Sequence, residues 1–197
     1  MNRKIAFFDF DGTITTKDTM LEFFRYSKGS FNYYFAFLLY SPVLVLFKLK
    51  LAPRQLAKQL VIQHLYRSMP AKEFQESCDH FAKEKIPGLL RPKALKEIQH
   101  LKDLGAEVVV VSASAENWVS LWCAENNLKL IATCLEVVDE KMSGRIIGLN
   151  CHGDEKVRRI REQYDLSQYD EIYCYGDTPG DKPMLALATH PFYKPFQ

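Results

Sequence analysis

Two aspartates stand one residue apart in Asp9-Phe10-Asp11-Gly12-Thr13, directly after the apolar stretch Ile5-Ala6-Phe7-Phe8. Carboxylates this close repel unless a cation or a proton lies between them. A turn alone needs one Asp or Asn before the glycine, so the second acid asks for metal binding, proton transfer or both. Ser112 follows four valines, and the amides of Ala113 and Ser114 come next. A hydroxyl and main-chain N–H groups at a strand end suit a phosphate or another anion, although a helix N-cap would use the same residue. Lys156, in Cys151-His152-Gly153-Asp154-Glu155-Lys156, lies near a helix start, where the macrodipole disfavours a cation. Gly176-Asp177-Thr178-Pro179-Gly180-Asp181 adds two acids in a loop whose glycines let main chain approach a ligand closely. A turn and a helix cap would account for Asp181, and for Asp177 less well.

These residues need a scaffold that gathers them. Four apolar, β-rich runs occur at residues 5–8, 108–111, 130–138 and 172–175. Leu95, Ile98, Leu101 and Leu104, ending at Gly105, predict a helix feeding the valines. Residues 117–126 and 154–164 read as two more helices. Strands alternating with helices argue for an α/β fold with a parallel sheet covered on both faces. Residues 136–147 break the rhythm: Lys141-Met142-Ser143-Gly144 looks like the turn of a hairpin attached to the sheet edge. Between Thr13 and Pro87-Gly88 lies an insertion. Within it, Pro53 followed by Leu56, Leu60, Val61 and Leu65 predicts a helix with Pro at its first position, and residues 71–85 predict another ending before Pro87.

At 197 residues, with 47% apolar and 25% charged residues, the chain has the composition of a folded domain. A net charge of +2 leaves no electrostatic footprint for nucleic acid. The distribution of charge is uneven. From Phe23 to Lys72 there is no Asp or Glu, while Lys and Arg occur eight times; subtracting these from 26 leaves 18 basic residues against all 24 acids elsewhere. Such a segment reads as an inserted module. The five cysteines form no Cys-x-x-Cys pair, which argues against a disulfide framework or a zinc site. The strand bearing Asp9 begins so close to Met1 that a cytoplasmic, reduced chain without a cleavable leader is expected.

In these motifs the chain resembles the haloacid dehalogenase superfamily over almost its whole length. Asp9-Phe10-Asp11-Gly12-Thr13 is similar to its first motif, Ser112 to its second, Lys156 to its third, and Asp177 with Asp181 to its fourth, in the family's order. The insertion and the wording of residues 175–185 resemble the phosphoserine-phosphatase-like branch. The resemblance implies a Rossmann-like core of residues 1–14 and 88–197 with a helical cap of residues 15–87. It implies a phosphatase in which Asp9 attacks phosphorus to give an aspartyl-phosphate, and Asp11 protonates the leaving oxygen and then activates water. It further implies Mg²⁺ held by the Asp9 carboxylate, the Asp11 carbonyl and Asp177, with Asp181 in support. Ser112 and Lys156 would bind the phosphoryl oxygens. A dehalogenase of the family would not need the second acid at Asp11.

The cap should select the substrate, since it closes over the leaving group. Asp18 lies where phosphoserine-specific relatives place an acid for the substrate amine. Their cap arginine has no clear counterpart in residues 60–70, with only Lys58 and Arg67 nearby. Residues 31–47 carry no charge, contain Pro42, and fall short of a comfortable membrane span. Flanked by Lys28, Lys48, Lys50 and Arg54, they fit either the core of a helical cap or peripheral contact with an anionic membrane at its inner face. This pattern resembles the phosphatidylglycerophosphatases of the same branch and favours a lipid or other amphiphilic phosphate over phosphoserine or another small metabolite. A phosphotransferase would use the same residues. A non-catalytic phosphate sensor or membrane-surface binding module would be expected to have lost acids that are all present here.

Overall fold

The computed structural model describes residues 3–41 and 54–197. The expectations resting on Pro42, Lys48, Lys50 and Pro53, and the later part of the uncharged run, lie outside them. Five parallel strands form one sheet in the order β3-β2-β1-β6-β7: β1 (Lys4–Phe8), β2 (Glu107–Ala115), β3 (Lys129–Thr133), β6 (Glu171–Gly176) and β7 (His190–Tyr193). Alternating side chains feed two separate cores. Ala6, Phe8, Val108 and Val110 join one apolar cluster, whereas Ile5, Phe7, Val109 and Val111 join the other. A strand buried on both faces therefore reads as an unbroken apolar run, as in 5–8 and 108–111.

Helices α4 (Pro92–Asp103) and α5 (Glu116–Glu125) cover the first face with Ile98, Leu101, Trp118 and Trp122; α6 (Asp154–Gln163) and α7 (Lys182–Leu185) cover the second with Ile160, Met184 and Leu185. Between β1 and α4 stand α1 (Thr19–Leu39), α2 (Arg54–Tyr66) and α3 (Ala71–Glu84). The chain enters and leaves them through paired linkers: the Thr16 N–H donates to the Leu89 carbonyl (2.7 Å) and the Arg91 N–H to that of Ile14 (2.8 Å). The α2 face that is buried is Ala57, Val61, Ile62 and Tyr66, rotated from the Leu56-Leu60-Val61-Leu65 stripe expected; Leu56 points to solvent.

Three expectations need correction. The run 130–138 is two strands: β3 ends at Thr133, and β4 (Leu135–Val138) belongs to a separate two-stranded antiparallel sheet with β5 (Lys141–Ile146). The turn of that hairpin is Asp139-Glu140, both at positive φ (48° and 60°), a two-residue connection in the left-handed region. Gly144 has another task, since a Cβ there would lie 2.6 Å from the Gln63 Cα of α2. The hairpin does not extend the main sheet. It pairs instead with the loop between α2 and α3, through Ser68 N–H to the Met142 carbonyl (2.8 Å), Met142 N–H to that of Met69 (2.9 Å) and Ala71 N–H to that of Glu140 (2.8 Å). Strand β7 had no apolar signal of its own, being an exposed edge strand that carries Pro191.

Candidate active site

The parallel register aligns Phe8 with both Val110 and Tyr175, so the C-terminal ends of β1, β2 and β6 open on one rim, where ligands of open α/β sheets bind. The Asp9 N–H still donates to the Tyr175 carbonyl (2.9 Å), and beyond it the chain turns sharply. Gly12 sits at φ 85°, and a Cβ there would come within 2.4 Å of Asp177 Oδ2. The first motif can therefore press against the fourth only with glycine at that position. The Arg91 side chain braces this turn through Nε to the carbonyls of Gly12 (3.2 Å) and Thr15 (3.1 Å).

Asp9, Lys156 and Asp181 form a buried row. Lys156 Nζ donates to Asp9 Oδ1 (2.5 Å) and to Asp181 Oδ1 (2.7 Å), and all three residues are at most 6% exposed. Burial opposes the Lys156 charge, but the two carboxylates more than offset it and hold the ammonium above its ordinary range. Burial pushes the Asp9 carboxyl up to about 7 against the pull of Lys156. For Asp181 burial also acts upward, yet Lys156 and Thr178 keep it below the usual carboxylate range. Its Oδ2 accepts from the Thr178 N–H (2.9 Å) and hydroxyl (2.7 Å). Asp181 is therefore an anchor whose oxygens are already engaged.

Oxygens of Asp9, Asp177 and Asp181 lie within 4.8 Å of one another. With both Asp181 oxygens already bonded, the Asp9 and Asp177 carboxylates are the oxygen donors that suit a hard divalent cation such as Mg²⁺. Moreover, the single Thr13 hydroxyl lies 3.2 Å from both Asp9 Oδ2 and Asp177 Oδ1. One proton cannot serve both acceptors, so a bound cation would satisfy what the protein leaves unmatched. Burial raises Asp177 as well. The residues fit the metal.

Asp11 turns away from this row. Its Oδ1 accepts from the Thr19 N–H (2.7 Å) and hydroxyl (2.6 Å), and its Oδ2 from Ser114 (2.6 Å) and Ser112 (3.3 Å). Ser112 does not close its strand as expected: β2 runs on to Ala115, and the fully buried Ser112 hydroxyl accepts from the Ser114 N–H (2.9 Å) while donating to Asp11. Asp18 caps α1 by accepting from the Leu21 N–H (3.1 Å). Crowding atoms and the Asp11 charge raise its carboxyl, though water tempers this because the residue is exposed.

A cavity of about 200 Å³ opens beside Asp11, with Asp18, Lys58 and Ser114 as polar lining and Phe24, Phe37 and Val61 as apolar lining. Lys58, from α2, donates to the Ala113 carbonyl (2.5 Å) and to Asn150 Oδ1 (2.8 Å). A larger open depression of about 430 Å³ between α2 and the hairpin contains none of the site acids. Sequence reasoning gave no role to the side chains of Thr13, Thr19, Ser114, Arg91 or Asn150. Ser114 had a signal, since it shares a strand face with Ser112 at a spacing of two; Arg91 and Asn150 had none.

The family model of haloacid dehalogenase-like hydrolases matches residues 6–186. The chain is 31% identical to Protein CicA of Caulobacter vibrioides, with 96% of this chain and 85% of that protein covered. It is 28% identical to the probable phosphatase Rv3661 of Mycobacterium tuberculosis over 95% of this chain and 67% of that one. Among solved structures, a phosphoserine phosphatase described as a phospho-aspartyl intermediate analogue aligns with a TM-score of 0.68 at 19% identity, covering 95% of this chain and 84% of that one.

Proposed function

The chain belongs to the haloacid dehalogenase-like hydrolase family, and from that premise we propose that it is a Mg²⁺-dependent phosphatase acting through an aspartyl-phosphate on Asp9. The separation of its two carboxylates carries this reading. Asp9 is bonded to a buried lysine and faces Asp177, whereas Asp11 is held by neutral donors beside the cavity. That division suits a nucleophile and an acid/base. Asp9, Asp177 and the main chain at Asp11 would hold Mg²⁺, which supplies positive charge for the transferring phosphoryl group.

Lys156 would keep Asp9 oriented and offset repulsion from an anionic substrate. Asp11, fixed by Thr19 and Ser114, would give its proton to the leaving oxygen and later take one from water. Ser112 would help to position Asp11 as well as line the phosphoryl site. Lys58, Phe24, Phe37 and Val61 would receive the leaving group, so the substrate class favoured is a lipid or other amphiphilic phosphomonoester. Asp18, at the same cavity, supports a second reading in which an amine-bearing ester such as phosphoserine is bound.

The test is phosphate release from phosphatidylglycerophosphate, phosphoserine and sugar phosphates, with and without Mg²⁺, using Asp9→Asn as the blank. Turnover of the lipid ester that needs both Mg²⁺ and Asp9 is expected. Equal turnover by Asp9→Asn would overturn the covalent mechanism, and selective turnover of phosphoserine would replace the amphiphilic reading.

A further inference from the structure

Helix α1 changes character at Gly29, where the main chain leaves helical geometry (φ 74°, ψ 163°). Before the kink it buries Phe23 and Phe24. After it, Tyr33, Ala36, Phe37 and Tyr40 turn toward the core. Phe31, Tyr34, Phe35, Leu38 and Leu39 do not: Phe31 is 82% exposed and Leu38 73%. Their i, i+3, i+4, i+7, i+8 spacing puts these five on the opposite side of the helix. Single exposed apolar side chains are ordinary, whereas five contiguous ones mark a surface that meets something.

A helix apolar on both sides belongs in a protein core or in lipid. Among the described residues no helix is long and apolar enough to cross a membrane; a helix with an apolar outer face can instead lie in the plane of the interface. Charge selects the surface. The stretch from Phe23 to Lys72 carries eight Lys and Arg and no acid; Lys58 is engaged inside the cavity and Lys28 lies over the Tyr66 ring, and the acid-free sign of the segment still favours anionic headgroups.

We propose that the outer face of residues 31–39 docks on an anionic phospholipid bilayer. Phe37, on the inner side of the same segment, lines the cavity beside Asp11. Docking therefore sets that cavity about one helix diameter, roughly 10 Å, from the lipid headgroups. This last point alone rests on the phosphatase reading; binding itself does not.

The test is co-sedimentation of the full chain with phosphatidylcholine vesicles, with and without phosphatidylglycerol, alongside turnover of soluble p-nitrophenyl phosphate. Binding to the mixed vesicles that weakens as salt rises is expected. The triple variant Phe31→Ser/Phe35→Ser/Leu38→Ser should partition about tenfold more weakly or worse, with soluble turnover unchanged. If that variant fails to fold, Phe31→Trp gives a second readout, a blue shift of its added fluorescence on mixed vesicles only. Failure of the intact protein to bind mixed vesicles, or equal binding by the triple variant, overturns the proposal. So does a dimer in solution that the variant abolishes without any vesicle binding, which would make a second copy of the chain the occupant. Vesicle binding without any phosphatase turnover would instead defeat the catalytic reading and leave the docking face standing.

Discussion

The floor of the site, at the ends of β1, β2 and β6, and its wall, on α1 and α2, meet at Asp11 but rest on different physics. In the floor, charge answers charge at short range: Lys156 lies between Asp9 and Asp181, and Asp181 is further bonded by Thr178. In the wall, Phe24, Phe37 and Val61 supply apolar surface around the cation Lys58. Few residue types can replace a member of the floor, because removing one partner leaves a buried charge unmatched. Many can replace a member of the wall, since apolar packing tolerates changes of similar volume. On the proposed function the floor fixes the reaction and the wall adjusts its substrate, a division that substitutions on either side can break.

The largest effect should come from Asp9→Asn. Turnover is expected to fall roughly 10⁴-fold or more on every ester tested, the scale on which loss of a nucleophile acts, with the circular dichroism spectrum unchanged. Asp11→Asn should lower kcat about 10²- to 10⁴-fold, most for esters with poor leaving groups and least for p-nitrophenyl phosphate. A uniform loss across leaving groups would remove Asp11 from the acid role.

Lys156→Met should destabilise the fold by about 3–5 kcal/mol, because two buried carboxylates lose their partner. Denaturant melts measure this, and restoration by Mg²⁺ would show the cation substituting for the ammonium. On the wall, Phe37→Ala should lower kcat/KM for amphiphilic esters about tenfold and leave p-nitrophenyl phosphate nearly unaffected. Equal losses on both substrates would erase the distinction between floor and wall.

The smallest effect concerns pH. Asp9 rises from 3.8 to about 7 on folding, chiefly by burial, so between those values the folded chain holds a proton that the unfolded chain has released. Its contribution to stability then declines as pH rises through that window. Metal-free thermal melts should show this slope, and Asp9→Asn should remove it. A slope unchanged in the variant would assign it to other groups.

Much of the floor was legible in the sequence because its residues lie beside strand ends that announce themselves as apolar runs. Asp9 needs only to follow Phe8, and Asp177 only to follow Gly176, for the parallel register to bring them together. The hairpin was misplaced because its turn, Asp139-Glu140, lacks glycine, while Gly144 mimics a turn residue and instead clears space for Gln63. The β-rich run 130–138 concealed a change of sheet at Cys134, since apolarity does not say which neighbour a strand will pair with.

The sequence by itself determined an acid-rich rim on a parallel α/β core, because short spacings and strand ends place charge wherever the fold permits a sheet. Only the tertiary structure decided how that charge is divided. Thr19 and Ser114 draw Asp11 away from Asp9 across separations of 8 and 103 residues, and the Gly29 kink leaves Phe31 and Leu38 facing outward. Hydrophobicity records that a residue should leave water. Which surface it meets depends on contacts far along the chain.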